Sequence, residues 1–169
     1  MTLEQIAALF DTYHKPIYRF VYLRVNHMET TEDLVSAIFE KVVRHYDALA
    51  PKNDELAFRK WIYTIARNTV IDYYRTQKQT DDIADYDVVD TAQMPDIALD
   101  TAMNLEMLQS HLGALTDRQR EVLLLRYQSD FSNVEIAEML DIDQKTVSSI
   151  LSQAIKRLKN SVQSVQSIV

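Results

Sequence analysis

"NVEIAEMLDIDQKTVSSILSQAIKRL", residues 133–158, decides how the C-terminal half of this chain folds. A helix-turn-helix needs a small residue where its helices touch, apolar residues sealing both inner faces, and a turn that accepts a left-handed backbone. Ala137 is the small residue. Ile136, Leu140, Ile142, Val147 and Ile150 are the expected seals. Asp141 stands where glycine is usual, and aspartate visits the left-handed region at modest cost. The second helix is predicted to begin near Asp143, whose carboxylate suits an N-cap. Its outward face then offers Gln144, Lys145, Thr146, Ser148, Ser149 and Ser152, with Lys156, Arg157 and Lys159 further on as phosphate contacts or as cations favouring a helix C-terminus. Glutamine can bond adenine in bidentate fashion, and serine or threonine can bond bases or phosphates. A guanine-reading arginine is missing.

The chain upstream repeats the helical theme. With one glycine, three prolines and 47% hydrophobic residues in 169, the composition asks for helices and few tight turns, so an all-α protein is expected. "TDRQREVLLLRY" opens on Thr116 and Gln119 in capping-box positions, and Ser132 with Glu135 repeats the device. These two boxes favour a helix-turn-helix over an ordinary helical hairpin without a ligand. The stripe Leu158, Val162, Val165 and Val169 prolongs the last helix or frays. Residues 2–26 read as two helices, or one kinked at Pro16. Thr30, with Asp33 three residues on, is the expected start of the next helix, striped by Leu34, Ile38, Val42 and Tyr46. After "APKND", helical spacing resumes from Leu56 to Gln77 with Phe58, Trp61, Ile62, Ile65, Ala66, Val70 and Tyr73. These four stretches are expected to close one small bundle.

Net charge misleads here. The chain carries 18 Lys and Arg against 25 Asp and Glu, but residues 79–102, "QTDDIADYDVVDTAQMPDIALDTA", hold seven Asp and no cation. Removing those seven leaves 18 acids against 18 bases. Within the remainder, Arg59 to Lys78 carries five cations and one acid, and Ile142 to Asn160 carries four and one. Local patches of this kind govern attraction to nucleic acid more than the sum does. The expected organisation is therefore two small helical domains, 1–78 and 102–169, joined by an acidic linker at 79–101. No cysteine, metal-ligand spacing of the four histidines, glycine-rich phosphate loop or nucleophile motif points to catalysis, a metal or a cofactor. No secretory signal or apolar span of membrane length is read, which suits a cytoplasmic protein.

Taken together, "TEDLVSAIFEKV" (31–42), "FRKWIYTIARNTVIDYYRTQK" (58–78) and "LGALTDRQREVLLLRYQSDFSNVEIAEMLDIDQKTVSSILSQAIKRL" (112–158) resemble the bacterial RNA polymerase sigma factors of the extracytoplasmic-function (ECF) group of the sigma-70 family. The most specific piece runs from Trp61 through Asn68 and Asp72 to Arg75. The resemblance implies that the first domain docks on core RNA polymerase through Asp33, Leu34, Ser36, Ala37 and Phe39. It also implies that Arg59, Lys60, Tyr63, Arg67, Asn68, Arg75 and Lys78 face the promoter −10 element. Asn68 would meet an extruded base, with Tyr63, Tyr73 and Tyr74 as stacking surfaces, although Trp61 and Tyr73 lie on the apolar stripe and read as core. The second domain would read the −35 element through Gln144, Lys145, Thr146, Ser148, Ser149 and Ser152, and the linker would raise its effective concentration. Core polymerase and promoter DNA are the implied partners, and an anti-sigma factor is a further one that many members have.

Three departures stand out. Ser36 and Ala37 replace a usual Gln-Glu pair. Ser148, Ile150 and Gln153 stand where cations are usual in the reading helix, and Asp141 replaces the turn glycine. Two other readings compete: a LuxR-type regulator, which resembles the C-terminal half nearly as well, and a sigma-like interaction protein that has lost DNA binding.

Overall fold

The computed structural model describes residues 1–79 and 107–167, and the expected linker therefore lies almost wholly outside the described residues. The chain divides into two compact units, Met1–Asp87 and Val88–Val169. Every described element is a helix, as the composition requires.

The described residues of the first unit form three helices: α1 (Leu3–Val25), α2 (Met28–Leu49) and α3 (Glu55–Gln79). Thr2 and Gln5 close a capping box at the start of α1, and Asn26 ends it in the left-handed region, φ 54°. The helix is continuous through Pro16, so residues 2–26 form one helix and the expected four stretches are three. A proline removes one hydrogen bond from the ladder, and burial of Leu9 before it and of Ile17, Phe20 and Val21 after it holds both halves against the same core.

α2 begins earlier than Thr30. His27 is the cap: its Nδ1 accepts the Thr30 N–H at 3.2 Å, and its carbonyl accepts the Thr31 hydroxyl at 2.7 Å. Thr31 is then buried inside the first turn. α3 starts on Asp54, whose Oδ1 accepts the Ala57 N–H at 3.0 Å. It runs to Gln79, one residue into the stretch expected to be linker.

Ile17, Phe20, Val21, Ile38, Val42, Ile62, Ala66 and Val70 are fully buried and form the common core of the three helices. Each large member stabilises the unit by about 1.5–3 kcal/mol relative to an exposed position. At one end Tyr13, Tyr46 and Trp61 all pack on Phe58, with ring centroids 5.6–6.0 Å from it.

In the second unit, described helical residues 107–112 (α4) end in a turn at Gly113. They are followed by α5 (Asp117–Tyr127), α6 (Asn133–Leu140) and α7 (Gln144–Gln166). Both expected capping boxes are present, Thr116 with Gln119 and Ser132 with Glu135. Between α5 and α6 the chain reverses through Asp130 at φ 57°, and Phe131, fully buried, donates its N–H to the Leu125 carbonyl at 3.0 Å.

α6 ends on Asp141 at φ 52°, ψ 51°, the left-handed cap its sequence position demands. The Ile142 N–H closes the turn on the Ala137 carbonyl at 3.0 Å. Asp143 directly precedes α7, and its carbonyl accepts the Val147 N–H at 3.2 Å. Ile136, Leu140 and Val147 seal the motif as expected, whereas Ile142 and Ile150 are only half-buried. Leu151 and Ala154 complete the seal, because with Val147 they fall on one line of a helix with 3.6 residues per turn. α7 continues to Gln166, so the stripe prolongs it through Leu158, Val162 and Val165, and Val169 lies outside the described residues.

The left-handed geometry at position 141 has a measurable consequence. Asp141→Gly is expected to stabilise the second unit by about 0.5 kcal/mol, since glycine carries no Cβ penalty there but loses more chain entropy. Asp141→Val is expected to cost about 1–2 kcal/mol. Urea unfolding followed by circular dichroism measures both, and equal midpoints for the two variants would contradict the assignment.

Candidate nucleic-acid interface

With Ile62, Ala66, Thr69 and Val70 turned inward, 3.6 residues per turn place Lys60, Thr64, Arg67, Asn68, Ile71, Arg75 and Lys78 together on the outer side of α3. This stripe spans about 27 Å at 1.5 Å per residue. Asn68, Arg75 and Lys78 are exposed, while Lys60 and Arg67 are half-buried, their stems lying on the bundle. Arg67 donates from Nη1 to Asn68 Oδ1 at 3.3 Å, which turns the Asn68 amide so that its NH₂ group is left to donate elsewhere. Arg75 stands 3.8 Å from Asp72, but both are well exposed, so the pair contributes little and leaves the guanidinium available to a phosphate.

The helix itself is held firmly. Tyr74 donates its hydroxyl to the Arg24 carbonyl at 2.6 Å, tying the last third of α3 to the end of α1, and Lys41 of α2 donates to Thr69 Oγ1 at 3.0 Å. The basic groups are thus displayed on a braced surface.

Two residues expected at this face are elsewhere. Tyr63 is 3% exposed, and its ring meets Phe20 edge-on at 5.4 Å. It is a core residue and offers no stacking surface. Arg59 shares the line of Tyr63, Ala66 and Val70 and is half-buried, so it departs from the outer stripe. The Tyr13 hydroxyl titrates above its ordinary range because burial disfavours the phenolate, with Glu55 adding to the effect. Trp61 and Tyr73, read as core, are half-buried, as is Tyr74.

The α2 residues behave in the same divided way. Asp33 and Ser36 are exposed, and Leu34 and Ala37 are half-buried. Phe39 is 8% exposed and packs on Phe10 at 5.1 Å, so it belongs to the α1–α2 contact and not to the outer face. What the sequence reading missed is that Glu29, Glu32 and Glu40 are exposed and, at helical spacing, surround Asp33. The i, i+4 pair Glu29 and Asp33 was the available signal. Among these acids Glu40 is paired with Arg44. The outer sides of α2 and α3 therefore carry opposite charge.

On α7, all six expected reading residues, Gln144, Lys145, Thr146, Ser148, Ser149 and Ser152, are exposed. Opposite the buried line of Val147, Leu151 and Ala154 lie Lys145, Ser149, Ser152, Gln153 and Lys156. Gln153 is the member that the expected set left out. Ser148 lies toward α6, where Asn133 Nδ2 approaches its Oγ at 3.4 Å.

Among the described residues, no group of three His, Cys, Asp or Glu is placed to hold a metal ion, and no helix is long and apolar enough to cross a membrane. A helix-turn-helix with an exposed polar reading helix, together with a basic helical face on a separate bundle, defines a two-part nucleic-acid-binding protein.

Residues 9–80 match Sigma-70 region 2, and residues 111–160 match Sigma-70, region 4. The RNA polymerase sigma factor YlaC of Bacillus subtilis is 30% identical over 163 residues, covering 94% of this chain and 92% of the relative. The ECF RNA polymerase sigma factor SigX of the same organism is 28% identical, covering 92% of this chain and 82% of the relative. Two solved structures share the fold. The sigma factor RpoE, in complex with the anti-sigma factor NepR from Bartonella quintana, aligns with TM-score 0.75 at 20% identity over 95% of this chain and 98% of its own. CnrH, in complex with the cytosolic domain of CnrY, aligns with TM-score 0.70 at 19% identity over 96% and 90%. The chain belongs to the sigma-70 family of RNA polymerase sigma factors, in its ECF group. The region 2 match in the N-terminal half removes the LuxR-type alternative.

Proposed function

We propose that this chain binds core RNA polymerase and directs it to a dedicated set of promoters in the cytoplasm, acting as a binding factor and not as an enzyme. The outer side of α3 contacts the opened −10 element. Lys60, Arg67, Arg75 and Lys78 follow the phosphates, and the Asn68 amide addresses the edge of an extruded base. α7 enters the major groove of the −35 element, and the outer side of α2 around Asp33, Ser36 and Ala37 docks on the polymerase. An anti-sigma protein, of the kind bound by RpoE, is a partner consistent with this reading.

The observation that carries the proposal is the braced stripe on α3, where the one exposed amide sits between cations that neutralise a backbone while the neighbouring hydroxyls are held by the helix. The Thr64 hydroxyl donates to the Lys60 carbonyl at 2.7 Å. Run-off transcription with purified core polymerase tests the reading as a whole, and specific starts from a genomic fragment library are the expected result. Within it, Asn68→Ala is expected to leave holoenzyme assembly intact and to lower open-complex formation by about tenfold, the worth of a good base-edge contact. Permanganate footprinting of unpaired thymines measures the opening. Unchanged opening would remove Asn68 from the pocket.

A further inference from the structure

The reading helix carries an unusual set of groups on its outward line. Lys145, Ser149, Ser152, Gln153 and Lys156 are exposed there, and no guanidinium is among them. Lysine ammonium groups are point charges suited to phosphates and to guanine acceptors. Serine hydroxyls are short and bond either donors or acceptors without strong preference. Ser148 is drawn away by Asn133, whose amide approaches its hydroxyl oxygen. Gln153 is the side chain on this line whose donor and acceptor are separate atoms, so it can bond two groups of one base edge at once.

A glutamine amide matches the major-groove edge of adenine: its Nε2 donates to N7 and its Oε1 accepts from the N6 amino group. Guanine presents two acceptors there, N7 and O6, so one end of the amide would face an acceptor with its own oxygen. Position 153 lies in the third turn of α7, about 14 Å along the helix from its first residue. Its neighbours are the small Ser149 and Ser152, which allow the backbone to approach closely.

We propose that Gln153 is a specificity-determining residue and that it selects adenine in the upstream promoter element. The inference rests on the reading of α7 as the −35-contacting helix. It deepens that reading by naming the base and the atoms.

The test uses holoenzyme reconstituted from core polymerase and the full chain, with promoters randomised through the upstream element and scored by transcript sequencing. The wild-type chain is expected to favour adenine at one position by about tenfold. Gln153→Arg is expected to move the preference at that same position to guanine, and Gln153→Ala to flatten it, with the other positions unchanged. Because position 153 is exposed, neither change removes a core contact, and holoenzyme yield checks assembly. Three proteins with the same base preference at every position would overturn the assignment while leaving the promoter-directing function standing. A wild-type chain that directs no specific start would overturn both.

Discussion

Exchange of Lys60, Arg75 and Lys78 together for glutamine will weaken promoter binding by the holoenzyme about 30- to 100-fold at physiological salt and lower the dependence of log affinity on log salt by about two. The expectation follows from counterion release. Each phosphate neutralised on a single strand contributes about 0.7 to that slope, and α3 displays these three ammonium and guanidinium groups on one outer line. None of the three is part of the core, so the bundle should melt at its usual temperature. Lys52, in the loop between α2 and α3, already contacts Asp47 at 3.3 Å and the Tyr46 ring at 5.2 Å, and Lys52→Gln should leave the slope unchanged. Filter binding across a salt series on DNA with an unpaired −10 strand measures both. A slope equal to wild type in the triple variant would take α3 out of the interface.

A second large effect is expected from Phe131→Ala, which should unfold the second unit and leave the first intact. Phe131 is fully buried and stands between α5 and α6. Its N–H bonds the Leu125 carbonyl, and its own carbonyl receives Arg126 Nη1 at 3.5 Å. Truncating a buried phenylalanine costs about 3–5 kcal/mol. A unit of this size has little more than that in reserve. Far-UV circular dichroism should lose the signal of α5–α7 and keep that of α1–α3, and a protease should trim the chain to its N-terminal part. In transcription the variant should fail on promoters that need the upstream element while still associating with core polymerase. A cooperative melt indistinguishable from wild type would show that the segment around Phe131 repacks.

Much of this architecture is written locally. The two capping boxes, the small Ala137 and the turn at Asp141 each act over three to five residues, and each is found as the sequence implies. The family resemblance drew on the same local signals. Tyr63 and Phe39 were not legible because the information they needed is tertiary. α3 carries apolar groups almost all the way round, from Phe58 and Trp61 to Ile71 and Tyr74, so spacing alone allows several choices of inner line. Phe20 of α1 settles it by taking Tyr63 as a partner. Phe39 lies at the margin of the α2 stripe, and Phe10 of α1 decides its side. His27 was hidden for a different reason, since an imidazole nitrogen seldom serves as a cap and Thr30 offered a commoner one. Glu29, Asp33 and Glu40 are four and seven residues apart in the chain and become neighbours only along the surface of the folded helix.

That face gives the first unit a polarity that its sequence total conceals. A body with acids on one flank and cations on another behaves in an electric field as a compass needle does: it turns before it translates. Beyond a Debye length of about 8 Å salt screens most of the interaction between the chain, at −7, and DNA. Inside that distance the torque favours presenting α3 and averting α2. When the acidic flank is covered by a partner of opposite charge, the repulsion weakens and the torque's work is already done. Free chain and assembled complex should then differ in how often a collision with DNA is productive, a distinction carried by orientation and not by any new contact.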